Sequence, residues 1–188
     1  MNTVFEKMEY CAAHAASTDS ATLADIIAYL RDDNWRVRYA AAIALGDRHD
    51  PQAVPALAEL FASESSEPLF SQPEIHGGIH AGSTENLSLE FPEGTTEEMK
   101  EIWRRRGRVL QAACLAIGNI GQADAATLGY LHRFALEQSY DYGVRAAACK
   151  ALAQLALPGS LPILELAAKD EEWCTNTEAK KGLPCCTP

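Results

Sequence analysis

Residues 35–46 read WRVRYAAAIALG, and this stretch decides the fold because it recurs further along the chain. Residues 107–118 read GRVLQAACLAIG, and residues 142–153 read YGVRAAACKALA. When the three stretches are aligned on their valines, small or apolar residues coincide at offsets 0, +4, +7 and +8. Four matched columns in three copies without a gap indicate an internal repeat.

The repeat predicts stacked pairs of α-helices. The matched offsets place their residues on one face of a helix, and alanine combines high helix propensity with a side chain that lets neighbouring helices approach. A second apolar segment follows each copy, and a similar one, SATLADIIAYLRD, precedes the first. The valines of the second and third copies, Val109 and Val144, are 35 residues apart, a spacing typical of helical solenoids. We therefore expect an all-α fold, a right-handed α-solenoid of stacked antiparallel helix pairs.

The pattern Val-Arg-x-x-Ala-Ala-x-x-Ala-Leu-Gly resembles HEAT repeats. The best matches are WRVRYAAAIALG and GVRAAACKALAQLA, and they are most similar to the HEAT-like subclass of the phycobilisome (phycobilin) lyases. The resemblance covers about two thirds of the chain by this repeat count. It implies the solenoid fold, but the same repeat serves many scaffolds and does not by itself specify a function.

The repeat pattern also predicts the domain organisation. Residues 1–172 are expected to form one solenoid domain, interrupted by an irregular insertion at residues 64–95 that is rich in Pro, Gly and Ser. Such a segment is expected to be poorly ordered or to fold over one face as a lid. Within it LSLEF alternates like a short strand, and the helix is expected to resume at Thr95 or Thr96. The final stretch GLPCCTP has two prolines and no helical period, and residues 173–188 are expected to be a flexible tail.

Charge and composition restrict the classes of partner. The formal net charge of −10 opposes binding to nucleic acid and to anionic membranes. No apolar run is long enough to cross a bilayer, and the N-terminal segment lacks the basic start and apolar block of a secretory signal. The six scattered cysteines are interpreted as reduced thiols. We therefore expect a cytoplasmic protein whose partner is another protein.

Candidate metal and nucleic-acid motifs are weaker than their structural alternatives. His76 and His80 follow Glu74, but the two glycines between them oppose the helix that would align them as ligands. Four arginines form a basic cluster that follows an acidic turn, so a solvated helix face with a Glu101–Arg105 pair is favoured over nucleic-acid binding; they are Arg104, Arg105, Arg106 and Arg108. Cys114 and Cys149 share a repeat column and are interpreted as small buried residues. No metal, cofactor or catalytic group is predicted.

The offsets −2 and +2 from each valine are expected to point away from the buried face and to line the concave surface of the solenoid. Trp35, Tyr39 and Tyr142 occupy three of these six positions, next to Arg36, Arg38 and Arg145 in the sequence. Aromatic residues and arginines are favoured at binding hot spots. The alternative is that Trp35 and Tyr142 pack on inter-repeat loops. The candidate binding residues are Trp35, Arg36, Arg38, Tyr39, Arg108, Gln111, Tyr142 and Arg145.

Two functions of different classes follow. The first is a non-catalytic scaffold or adaptor that captures a protein partner on its concave face. The second is implied by the resemblance: a subunit of a phycobilin lyase or a bilin chaperone that carries an open-chain tetrapyrrole to a phycobiliprotein. In that case the arginines would bind the propionates and the aromatic side chains would contact the pyrrole rings.

Overall fold

In the computed structural model, the described residues are 3–65, 74–76 and 88–186. They form a helical chain with one short β-hairpin. The helices are α1 (Val4–His14), α2 (Ser20–Tyr29), α3 (Trp35–Arg48), α4 (Val54–Ser65), α5 (Glu97–Ile120), α6 (Ala125–Leu136), α7 (Tyr142–Leu155), α8 (Leu161–Ala167) and α9 (Trp173–Cys186). Single 3₁₀ turns at Pro51–Ala53 and Pro158–Ser160 lead into α4 and α8.

The helices pack in two layers. The odd-numbered helices α1, α3, α5, α7 and α9 contact one another in chain order and form the odd-helix layer. The helices α2, α4, α6 and α8 form the even-helix layer, which packs against the odd-helix layer. The prediction of an α-solenoid of helix pairs is confirmed.

The repeat columns form the core between and within the layers. The three anchor valines are completely buried, and so are the alanines at +4. The residues at +7 and +8 are at most 2% exposed. The predicted register is therefore confirmed; its members are Val37, Val109 and Val144, then Ala41, Ala113 and Ala148, then Ala44, Ala116 and Ala151, then Leu45, Ile117 and Leu152.

Short polar side chains fix where the helices begin. Asn34, Asp124 and Asp141 each accept a hydrogen bond from a backbone N–H in the first turn of the helix that follows, which satisfies a donor that the helix itself leaves unpaired. Thr96 does the same for α5. This confirms the predicted restart of the helix, and α5 then runs without a break into the second repeat copy.

The C-terminal segment is a helix, so the prediction of a flexible tail is wrong for residues 173–186. Helix α9 packs against α7 and α8. It carries a fourth copy of the repeat, with Thr175 at the anchor position and Ala179, Gly182 and Leu183 at +4, +7 and +8. Thr175 and Ala179 are completely buried. The copy escapes a search for valine because a hydroxyl-bearing residue of similar shape takes the anchor position.

The odd helices approach each other at glycine. A Cβ atom on Gly46 would lie 2.8 Å from the Ala116 Cα atom, and one on Gly118 would lie 3.0 Å from the Ala151 Cα atom. The even helices are separated by aromatic rings instead, as between Phe61 of α4 and the next even helix, α6. Because small residues allow closer packing than rings do, this difference favours a stack that curves toward the odd-helix layer.

The insertion is described in part. Strands β1 (Glu74–His76) and β2 (Ser88–Glu90) pair antiparallel, with Ile75 opposite Leu89, which confirms the short strand expected in LSLEF. Glu64 and Ser65 belong to α4 and are buried, so the break in the helical pattern begins after them. The predicted disorder or lid over residues 66–73 and 77–87 lies outside the described residues.

No helix in the described ranges has the length and hydropathy that a membrane span requires.

Candidate binding surface

The outward face of the odd-helix layer lies at offsets −1, +2, +6 and +10 from each anchor. On a helix these positions lie opposite the buried columns. On α3 and α5 all eight are exposed except Leu115, which is half-buried. We call this set the α3–α5 surface; it consists of Arg36, Tyr39, Ile43 and Asp47 on α3 with Arg108, Gln111, Leu115 and Asn119 on α5.

A groove runs between the two helices within this surface. Its volume is about 230 Å³. The side chains of Tyr39, Ile43 and Leu115 give it apolar walls, while Gly46 and Ala116 belong to the close contact between α3 and α5 at its base. Tyr39 and Ile43 are 36% and 41% exposed. These are large side chains on rigid helices and are open to a ligand.

Two arginines from different helices lie against the ring of Trp35 at the edge of the α3–α5 surface. The guanidinium carbon of Arg36 lies 4.9 Å from the centroid of the Trp35 ring, and that of Arg108 lies 5.9 Å away. Both distances are within the range of cation–π attraction. Arg36 and Arg108 are exposed, and neither forms an ion pair with another residue in the described part of the chain. Both guanidinium groups are thus held by one ring.

Side chains at offset −2 point toward the next odd helix and not straight outward. Trp35 lies on the side of α3 that faces α5, which is why Arg108 reaches its ring. Tyr142 has the same position on α7 and is half-buried, beside Cys174 of α9. Burial raises the pKa of the Tyr142 hydroxyl. Trp35 contributes to the α3–α5 surface from its edge, whereas Tyr142 belongs to the contact between α7 and α9.

Arg38 and Arg145, at offset +1, are structural. Arg38 donates from Nε to Glu64 at the end of α4 (2.6 Å) and from Nη1 to the backbone oxygen of Asp32 (2.8 Å). Arg145 has no exposed surface and pairs with Asp170, after α8. The prediction that Arg145 lines a binding face is therefore wrong, because this offset points toward the loops that join the two layers.

The second copy has Leu110 at offset +1, and a different residue makes the equivalent contact. The Trp103 indole N–H of α5 donates to the backbone oxygen of Ser139, which follows α6, at 3.1 Å. Each of α3, α5 and α7 is thus tied to the end of the next even helix. We call these three contacts the repeat ties.

The structure therefore brings together five of the eight predicted binding residues: Trp35, Arg36, Tyr39, Arg108 and Gln111. The sequence reading missed Ile43, Asp47, Leu115 and Asn119. These residues continue the same stripe at helical spacing, and extending offset +2 by four and eight residues would have found them.

Arg105 and the two repeat-column cysteines have structural roles, while the side chains of the insertion's histidines are not described. Arg105 pairs with Glu101 at 2.8 Å, as the spacing predicts. Cys114 and Cys149 are completely buried, and burial raises the thiol pKa of both, that of Cys149 to about 12; such thiols are poor nucleophiles. Among the residues that the structure describes, no group of three or more His, Cys, Asp or Glu side chains could hold a metal ion. His80 and the side chain of His76 lie outside them.

The fold and its exposed face define a class: a helical-repeat solenoid. A family model described as HEAT repeats matches residues 8–69 and 104–183. Because the match covers more than half of the chain, the protein belongs to the HEAT-repeat family, and the match extends through most of α9. It confirms HEAT repeats in general, while membership of the phycobilisome lyase subclass stays a prediction.

Among solved structures, the chain is similar to an engineered protein from the Northeast Structural Genomics Consortium. That protein is 15% identical, the alignment covers 96% of this chain and 87% of the engineered one, and the TM-score is 0.35. No curated protein sequence matches the chain.

Proposed function

We propose that this protein is an interaction scaffold that holds a protein partner on the α3–α5 surface. The main support is the groove between α3 and α5, where Tyr39 and Ile43 are exposed near Arg36 and Arg108. Large apolar and aromatic side chains that are already fixed on helices offer contact area at little cost in entropy, and such residues dominate binding energies. Repeat solenoids commonly use an extended helical face in this way.

The test is affinity purification from the native host with variants of matched chemistry. Tyr39→Ala combined with Ile43→Asp changes the groove. Leu166→Asp changes a residue of α8 that is 53% exposed and lies in the even-helix layer. All three positions are exposed, so both variants should melt within a few degrees of the wild type. We expect one or more proteins to copurify with the wild type and with Leu166→Asp but not with the groove variant. Identical bound proteins in all three samples would contradict the proposal.

A second candidate is favoured by the cluster of Trp35, Arg36 and Arg108. A ring flanked by two guanidinium groups also suits an open-chain tetrapyrrole with propionate groups, as a phycobilin lyase subunit or bilin chaperone requires. The same purification distinguishes the two functions, because a bound bilin gives visible absorbance. A pigment that copurifies with the wild type and is lost when Arg36 and Arg108 are replaced by alanine would favour this candidate.

A further inference from the structure

We infer that the partner presents an acidic segment to the α3–α5 surface, with a carboxylate held between Arg36 and Arg108 and a neighbouring apolar side chain in the groove. This inference rests on the proposed function, and it adds the chemistry of the partner.

The first support is the charge of the outward face. At offsets −1, +2, +6 and +10 on α3, α5, α7 and α9, the basic residues are Arg36, Arg108, Lys150 and Lys181, and the acidic one is Asp47. Of these basic residues, Lys181 is paired with Glu178. The chain as a whole has a formal net charge of −10. A face that carries an excess of positive charge on so acidic a protein complements a negatively charged partner and disfavours other surfaces.

The second support is the geometry of the two arginines. Most other exposed guanidinium groups of the described chain are already paired, such as Arg31 with Glu59 and Arg133 with Glu137. Arg36 and Arg108 instead lie against the Trp35 ring and form no ion pair with another described residue, although Asp141 interacts electrostatically with Arg108. Guanidinium groups bind carboxylates through paired hydrogen bonds, so the site suits an Asp or Glu side chain.

The third support is the arrangement of charge and groove along α5. Leu115 in the groove lies seven residues after Arg108, which corresponds to about 10 Å along a helix. Gln111 is exposed between them and offers an amide to a peptide backbone. An extended chain covers about 10 Å in three residues. The bound segment should therefore carry its acidic residue and its apolar residue about three positions apart.

Selection from a random 12-residue peptide library displayed on phage tests this inference. The immobilised proteins are the wild type, Arg36→Glu/Arg108→Glu, and the control Arg31→Glu/Arg133→Glu. The control makes the same change in net charge at two exposed arginines away from the α3–α5 surface, Arg31 just after α2 and Arg133 on α6. Circular dichroism melting of all three proteins shows that they are folded before selection.

We expect the wild type and the control to enrich peptides with Asp or Glu about three positions from an apolar residue. Synthetic versions should bind Arg36→Glu/Arg108→Glu at least about tenfold more weakly, since two exposed charge pairs are lost and reversed. Binding should also weaken with added salt.

Three results would overturn the inference. Enriched peptides that lack acidic residues but fail to bind the Tyr39→Ala/Ile43→Asp variant would leave the proposed scaffold standing and remove its acidic partner. Equal binding to the two charge-reversed proteins would place the contact elsewhere. No enrichment by the wild type, together with binding of free biliverdin that is lost in Arg36→Glu/Arg108→Glu, would assign the two arginines to a small carboxylate ligand.

Discussion

The two layers of the solenoid solve the same packing problem with opposite residues. In the odd-helix layer the helices meet at Gly46 and Gly118, where the backbones of neighbouring helices lie too close together to leave room for a side chain. In the even-helix layer the contact is an aromatic cluster, in which the ring of Phe134 lies 5.1 Å from that of Phe61 and 4.8 Å from that of Tyr140. The odd-helix layer should therefore be sensitive to added atoms, and the even-helix layer to removed ones.

The largest effect is expected where both layers share a core. Val109→Asp should prevent cooperative folding, because it places a charge without a partner among completely buried side chains at a cost of several kcal/mol. Thermal melting followed by circular dichroism measures this. The matched control is Gln111→Asp, two residues later on the outward face, which should melt close to the wild type. Similar melting of the two variants would contradict the register on which the layers are defined.

The next effect tests the even-helix layer. Phe61→Ala should lower the free energy of unfolding by about 3–5 kcal/mol, because Phe61 is completely buried and its removal leaves a cavity against Phe134. Urea denaturation gives the value. Phe5→Ala on α1 removes the same ring from a site that is 67% exposed and should change stability by about 0.5 kcal/mol or less. A small loss at Phe61 would show that the aromatic cluster can collapse around the missing ring.

Added atoms test the odd-helix layer. Gly46→Ala should destabilise by about 1–3 kcal/mol, because the new methyl group meets the Ala116 backbone. Gly129→Ala is the matched control, in the middle of α6 with no atom near the new methyl group. It should stabilise by up to about 1 kcal/mol, since alanine has the higher helix propensity. Both substitutions replace glycine by alanine. Urea denaturation should therefore show changes of opposite sign in the free energy of unfolding, a loss at Gly46 and a gain at Gly129. A gain at both sites would refute close packing at glycine.

The smallest effect compares helix caps in the two layers. Burial raises the pKa of Asp141, the cap of α7, whereas a hydrogen bond from the backbone N–H of Thr127 (2.7 Å) lowers the pKa of Asp124, the cap of α6. A carboxyl group whose pKa is raised on folding costs no stability below its unfolded pKa and becomes costly as the pH rises through its folded pKa. Asp141→Asn keeps a capping oxygen and should become more stable relative to the wild type from about pH 4 to pH 7.

Asp124→Asn is the opposite case. The lowered pKa means that ionised Asp124 stabilises the protein above its unfolded pKa and loses this contribution as the pH falls through its folded pKa. The variant should therefore be less stable than the wild type at neutral pH and similar to it in strong acid. Urea denaturation of both variants across this pH range provides the measurement. Parallel pH profiles for the two variants would show that the caps do not differ in environment.

The sequence contains enough to predict the solenoid, because close packing demands small residues at helical spacing and leaves a visible repeat. It places the outward face less accurately. A solenoid helix has neighbours on both flanks, and periodicity alone does not show which flank Trp35 covers. The prediction that Arg38 and Arg145 line the binding face fails for a similar reason. Their partners Glu64 and Asp170 lie about 25 residues further along the chain, and only folding brings them close.

The repeat ties have a consequence for the modularity of the chain. Each tie joins the odd helix of one helix pair to the end of the even helix that begins the next pair. The two partners of each contact therefore belong to different sequence repeats. Removing the pair α4–α5 would leave Arg38 without Glu64 and bring it against the end of α6, which supplies a backbone oxygen in the native tie. Recombination that changes the number of repeats must therefore exchange matched junctions, and the copies are not interchangeable although their buried columns coincide.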